Sequence, residues 1–166
     1  MGTDIHCYLE RKTKSGWVVD PGHTRTVAGD VLEIQSLAGR NYTLFSLIAG
    51  VRGQHQSMFP VRGLPKNVSD DIKAEYEKDH YHSATYLSPN ELKRIMSTMA
   101  RLIREYYADF PFGDLTGSAN AAFSEYGCND GILRYIRSYK ESEQVDNILL
   151  GTKNNTRFRI VIWFDS

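Results

Sequence analysis

The chain is poor in cysteine, with 2 in 166 residues. Cys7 and Cys128 are too far apart to form a metal-spaced pair, so neither a disulfide scaffold nor a cysteine zinc site is expected. No run approaches the roughly 18 consecutive apolar residues of a membrane span. No apolar stretch follows Met1, and Thr3, Asp4 and His6 are polar, so no secretory leader is expected. Gly2 makes no myristoylation signal, because position 6 is His6 where a serine or threonine is required. Charge of one sign is not in excess, with 20 Lys+Arg against 20 Asp+Glu. That excludes the global attraction on which general binding to duplex nucleic acid depends. Neither a P-loop nor a G-x-G-x-x-G turn is present, so no standard nucleotide motif can be invoked.

What is present is the composition of an ordinary globular chain, long enough to bury a core and about one domain in size. The expectation is a single domain spanning residues 1–166. The zero net charge is a sum of unequal parts. Residues 1–68 carry +3, residues 69–130 carry −5 and residues 131–166 carry +2. If the two ends meet in one sheet, a local positive patch can exist inside a neutral protein.

Residues 4–11 alternate, with Asp4, His6, Tyr8 and Glu10 on one side and Ile5, Cys7 and Leu9 on the other. A period of two with one apolar side predicts a half-buried strand. Lys14-Ser15-Gly16 predicts a turn, and Trp17-Val18-Val19 a returning strand. Residues 20–39 read as loop. Asn41 and Gly50 bracket a short helix over Tyr42 to Ala49, with Leu44, Phe45 and Ile48 on its buried side. Residues 51–68 read as a long loop. Ser69, followed by Asp70 and Asp71, predicts a helix running to about Lys78. Ser88-Pro89-Asn90-Glu91 is a capping box with proline at the first helical position. The apolar residues Leu92, Ile95, Met96, Met99, Leu102, Ile103 and Tyr106 then carry a helix to about Tyr107. A further helix is expected near residues 130–142, and a terminal hairpin returns through Phe158, Ile160, Ile162 and Phe164. Its first strand would be Ile148-Leu149-Leu150 and its turn residues 153–156. Strands at both ends with helices between them predict an α+β domain. It would hold a small, mostly antiparallel sheet packed with three to four helices.

Four groups of residues could carry chemistry. Asp4-x-His6 would project from one face of a strand, an arrangement that suits a shared divalent metal or a carboxylate orienting an imidazole. His80 and His82 form an H-x-H pair in what reads as a loop, with Ser83 beside His82. Arg40, Arg52 and Arg62 bracket a short helix and a Gly/Pro-rich loop, and arginine is suited to forked contact with phosphate. Arg-Gly at 52–53 and 62–63 would also let backbone amides approach an anion. Asp165 would join Asp4 and His6 if the last strand neighbours the first. Tyr8, Tyr42, Tyr81 and Tyr86 offer faces for stacking a base.

These residues lie in motifs that resemble those of a scattered set of small phage and bacterial proteins. The shared stretches are Met1–His6, Arg40–Phe45, Ala49–Arg52, Arg62–Pro65, His82-Ser83 and Trp163–Asp165. They cover both ends and about the first 90 residues. Thr3 stands where those proteins carry cysteine, and Ser166 where they carry asparagine. The resemblance implies a phage or prophage setting and a host-cell cytoplasmic location. It brings no settled activity, but picks out Asp4, His6, Arg40, Arg52, Arg62, His82 and Asp165 as one polar site.

Three functions are therefore weighed. The first is binding of a phosphate-bearing small ligand, a nucleotide, through Asp4, His6, Arg40, Arg52, Arg62, His82 and Ser83. In a phage setting that binding would sequester a host defence signal. The second is a metal-dependent phosphodiesterase or nuclease, with a divalent metal held by Asp4, His6, His82 and Asp165. The third is a protein-binding inhibitor. A homo-oligomer is compatible with each.

Overall fold

The alternation near the start of the chain becomes a strand whose two faces are both covered. The computed structural model describes residues 2–20, 41–108 and 157–165. In chain order the elements are β1 (Ile5–Thr13), β2 (Gly16–Val19), α1 (Tyr42–Ala49), α2 (Asp70–Tyr76), β3 (His82–Leu87), α3 (Pro89–Ala108) and β4 (Phe158–Phe164). The strands form one sheet in the order β2-β1-β4-β3, with every neighbouring pair antiparallel. The fold is α+β, as the sequence pattern predicts. The further helix near 130–142, the outgoing strand of the terminal hairpin, the 20–39 segment beyond Asp20, and Arg40 lie outside the described residues.

Face by face, the register explains the packing. Cys7 sits opposite Ile162 and Leu9 opposite Ile160, so both strands send these side chains to one face. There they meet Leu44, Phe45 and Ile48 of α1 and Leu92, Ile95, Met96 and Met99 of α3 in one buried cluster. α1 is bounded as its sequence predicts. Asn41 Oδ1 accepts from the Leu44 amide at 3.0 Å, and Gly50 closes the helix in the left-handed region at φ 71°. The capping box of α3 is reciprocal. The Ser88 amide donates to Glu91 Oε2 at 2.9 Å, and the Glu91 amide to Ser88 Oγ at 3.2 Å.

The second face corrects the expectation of a half-buried strand. Tyr8 and Glu10, on the polar side of β1, are buried. Tyr8, Val161 and Trp163 pack with Ile72 of α2, and Leu64 and Val68 lie against them. The alternation is real, but the chain supplies a cover for both sides. For the same reason β4, flanked by β1 and β3, is buried at every position from Phe158 to Phe164.

Glu10 and Arg159 hold that cover down. They sit opposite each other in register, and Arg159 Nε donates to Glu10 Oε2. Glu10 Oε1 accepts from the Ser69 amide at 2.7 Å. Arg159 also donates to Asn67 Oδ1 at 2.7 Å and to the Asn67 carbonyl at 2.9 Å, and its guanidinium lies 4.0 Å above the Trp17 ring. One buried ion pair therefore fastens the start of α2 to the middle of the sheet. Two further expectations are corrected. α2 ends at Tyr76, short of Lys78, and the Ser69 side chain makes no capping bond. Residues 82–87 form β3, where the sequence suggests loop up to Ser83. Ala84 and Thr85 are both buried, so the segment lacks the alternation by which a half-exposed strand announces itself.

Candidate functional site

Antiparallel order brings the start of β1, the end of β4 and the start of β3 to one end of the sheet. Five of the expected site residues therefore gather there, namely Asp4, His6, His82, Ser83 and Asp165. The contacts between Asp4 and Asp165 are direct. The Asp165 amide donates to the Asp4 carbonyl at 3.2 Å, and the Asp4 amide donates to Asp165 Oδ1 at 2.9 Å. The other oxygen, Oδ2, lies 3.2 Å from His6 Nε2. The pair is partly open to solvent, with His6 20% and Asp165 40% exposed at the side chain.

His6 stands on an aromatic bed. It lies opposite Trp163 in register, with ring centroids 6.3 Å apart and nearly parallel. Tyr81 leans against it at 5.0 Å, and Tyr76 lies 6.0 Å beyond Tyr81. Of the four tyrosines expected to stack a base, only Tyr81 is placed to do so. Tyr8 is buried against Trp163 at 4.6 Å. Tyr42 packs edge-on against Phe45 of α1. Tyr86 meets Arg62 and Arg159 towards the other end of β3. Tyr76 has no sequence signal of its own, because only the fold of α2 carries it to Tyr81.

His82 lies on the opposite face. It pairs with Phe164, the neighbour of Trp163 on β4, and its ring stacks on Phe164 at 6.2 Å. Successive residues of a strand point to opposite faces, so the sheet separates His82 from His6. Asp4, His6 and His82 do not form one donor set. Among the described residues no group of three or more histidine, cysteine, aspartate or glutamate side chains is arranged to hold a metal ion. His80 is exposed, with its amide bonded to the Asp79 carboxylate at 2.7 Å, and it does not join His82 in a site.

The arginines divide as well. Arg62 is spoken for at the other end of β3. Its Nη1 donates to Glu91 Oε2 and to the Tyr86 carbonyl, each at 2.9 Å, and its Nη2 donates to Glu91 Oε1. This forked pair holds the Glu91 carboxyl below the usual carboxylate range, against the opposing effect of burial and with help from the Ser88 amide. The same Glu91 bond raises the Arg62 guanidinium. Arg62 is thus a clamp on the N-terminus of α3. Three of the four Arg-Gly amides are taken too. The Arg62 amide donates to Thr85 Oγ1, the Gly63 amide to the Ala84 carbonyl, and the Gly53 amide to the Val51 carbonyl.

Arg52 is different. It is exposed, its backbone is left-handed at φ 57°, and its Nε donates to the buried Thr3 Oγ1 at 2.8 Å. Among the described residues its two Nη atoms have no partner. Thr3 and Asp4 are adjacent, so Arg52 and Asp165 touch neighbouring residues at the same sheet end. The sequence motif identifies Arg52, but Thr3 as its anchor is visible only in the fold.

No family model matches the chain, and no curated protein and no solved structure is detectably similar to it.

Proposed function

We propose that this end of the sheet binds one small phosphate-bearing ligand, a nucleotide. The observation that carries the reading is Arg52, a guanidinium anchored through Nε on Thr3 whose outer edge meets no other group among the described residues. Such an arginine is held in place before the ligand arrives, which lowers the ordering cost of a forked phosphate contact. Round the strand ends, on the opposite face of the sheet from Arg52, lie groups that suit a nucleoside. Tyr81 and His6 provide ring faces, and Asp4 and Asp165 provide acceptors for hydroxyl groups. The two Asp carboxylates oppose a bare anion, which favours a ligand with hydroxyls and a base over inorganic phosphate. In a phage-encoded protein, binding of this kind without turnover would sequester a host signalling nucleotide.

The test is calorimetric titration of the full chain with nucleoside mono- and diphosphates, with inorganic phosphate as control. Losing a hydrogen bond to a charged group is worth about 1.5–3 kcal/mol, so Arg52→Gln should weaken nucleotide binding by about 10- to 100-fold. Arg101→Gln, at an exposed ion pair on α3, should leave it unchanged. Affinity equal in wild type and Arg52→Gln, or no affinity for any nucleotide, rules the reading out.

A further inference from the structure

Ser83 sits in a conformation that a strand does not ordinarily hold. Its φ is 53°, in the left-handed region that disfavours every residue with a Cβ. The register shows why. His82 lies opposite Phe164 and Thr85 opposite Ile162, so three steps along β3 span two steps along β4. One extra residue is accommodated as a β-bulge, and Ser83 lies within it. The consequence is chemical. Regular strand geometry sends adjacent side chains to opposite faces, but here Ser83 Oγ lies 2.9 Å from Nδ1 of its own neighbour, His82. The His82 ring is held in its plane by Phe164, stacked with 28° between the planes. Both side chains are only half-buried, at the sheet end where the polar residues gather.

We propose that Ser83 and His82 are a nucleophile–base pair that acts on a carboxylic ester. Bulges and left-handed non-glycine residues recur at active sites because they re-aim a side chain at a backbone cost. In the tautomer whose Nδ1 is unprotonated, His82 accepts the Ser83 proton as Oγ bonds to the ester carbonyl carbon. The carbon–alkoxide bond breaks, and the alcohol leaves with the proton that His82 had taken. Water, deprotonated by His82, then adds to the acyl carbon; the bond to Ser83 Oγ breaks, the carboxylic acid leaves, and His82 returns the proton to Ser83 Oγ. No oxidant, metal or further reactant enters the balance. This inference stands on the bulge and is independent of nucleotide binding at Arg52.

Labelling with a fluorophosphonate probe tests it. The probe phosphorus bonds to Ser83 Oγ and fluoride leaves, so intact mass and peptide mapping should locate one adduct on Ser83 of the folded chain. The adduct should vanish in Ser83→Ala, form at least 10-fold more slowly in His82→Ala, and be absent from chain unfolded in urea. General-base assistance worth about 100-fold or more sets that lower bound. No Ser83 adduct on folded wild type, or an unchanged rate in a folded His82→Ala, overturns the proposal. The wild-type measurement decides even where a variant fails to fold.

Discussion

Replacing Glu10 by glutamine would unpair a charge in the interior. Glu10 is fully buried and Arg159 is 7% exposed, so neither has water to turn to. Glutamine keeps an oxygen for the Ser69 amide and nearly the same volume, so the change isolates the charge. Removing one partner of a buried ion pair costs about 3–5 kcal/mol, because the remaining charge stays desolvated. For a domain of this size, each kcal/mol shifts the melting temperature by about 2–4 °C, so Tm should fall by about 6–20 °C. Arg159→Met should cost about as much, since it strands the Glu10 carboxylate. The double variant should lose far less than the two singles together, because it buries no unpaired charge. Urea unfolding of the four proteins closes the cycle. A loss below about 1 kcal/mol in Glu10→Gln, or losses that simply add, would refute the view that the pair is an internal fastening.

Three further outcomes follow from local geometry. A methyl group at Gly53 would lie 2.3 Å from Ser46 Oγ and 2.5 Å from the Tyr42 carbonyl, so Gly53→Ala should destabilise by about 1–3 kcal/mol in thermal unfolding; a neutral result contradicts the close approach of loop and α1. Ser83→Gly and Ser83→Ala both lose the hydroxyl, but only glycine is at ease at φ 53°, so the glycine variant should be the more stable by about 1 kcal/mol, and equal stabilities would show that the bulge stores no strain. Arg62 holds the Glu91 carboxyl low, so its contribution is complete above the ordinary carboxylate value and drains away as pH falls through the lower folded one. Glu91→Gln should therefore flatten the acid side of a stability–pH curve measured by urea midpoints, and an unchanged slope would speak against the clamp.

Much of the fold was legible in the chain because local rules govern it. The bounds of α1 follow from Asn41 and Gly50, and the start of α3 from Ser88, Pro89 and Glu91, since each cap is satisfied within a few residues of itself. The hairpin of β1 and β2 follows from Lys14-Ser15-Gly16 between two apolar runs. β3 was not legible, because a short strand covered on both faces has no alternation to show.

The candidate site divides along the same line. Residue types and spacing offer Asp4, His6, Arg40, Arg52, Arg62, His80, His82, Ser83 and Asp165 alike as candidates, since carboxylate, imidazole, hydroxyl and guanidinium groups are the ones that carry such chemistry. Their partners are a matter of tertiary structure. Which strand lies beside β1 decides that Asp165 meets His6, and strand parity decides that His82 does not. Arg62 and Arg52 look alike in the chain, each followed by glycine, yet one is clamped to Glu91 and the other is anchored on Thr3, with no further partner among the described residues. Sequence determines which groups a chain carries and what its local segments prefer. Long-range pairing determines which groups face one another, because the partner that neutralises or exposes a charge lies, for Glu10 and Arg159, 149 residues away.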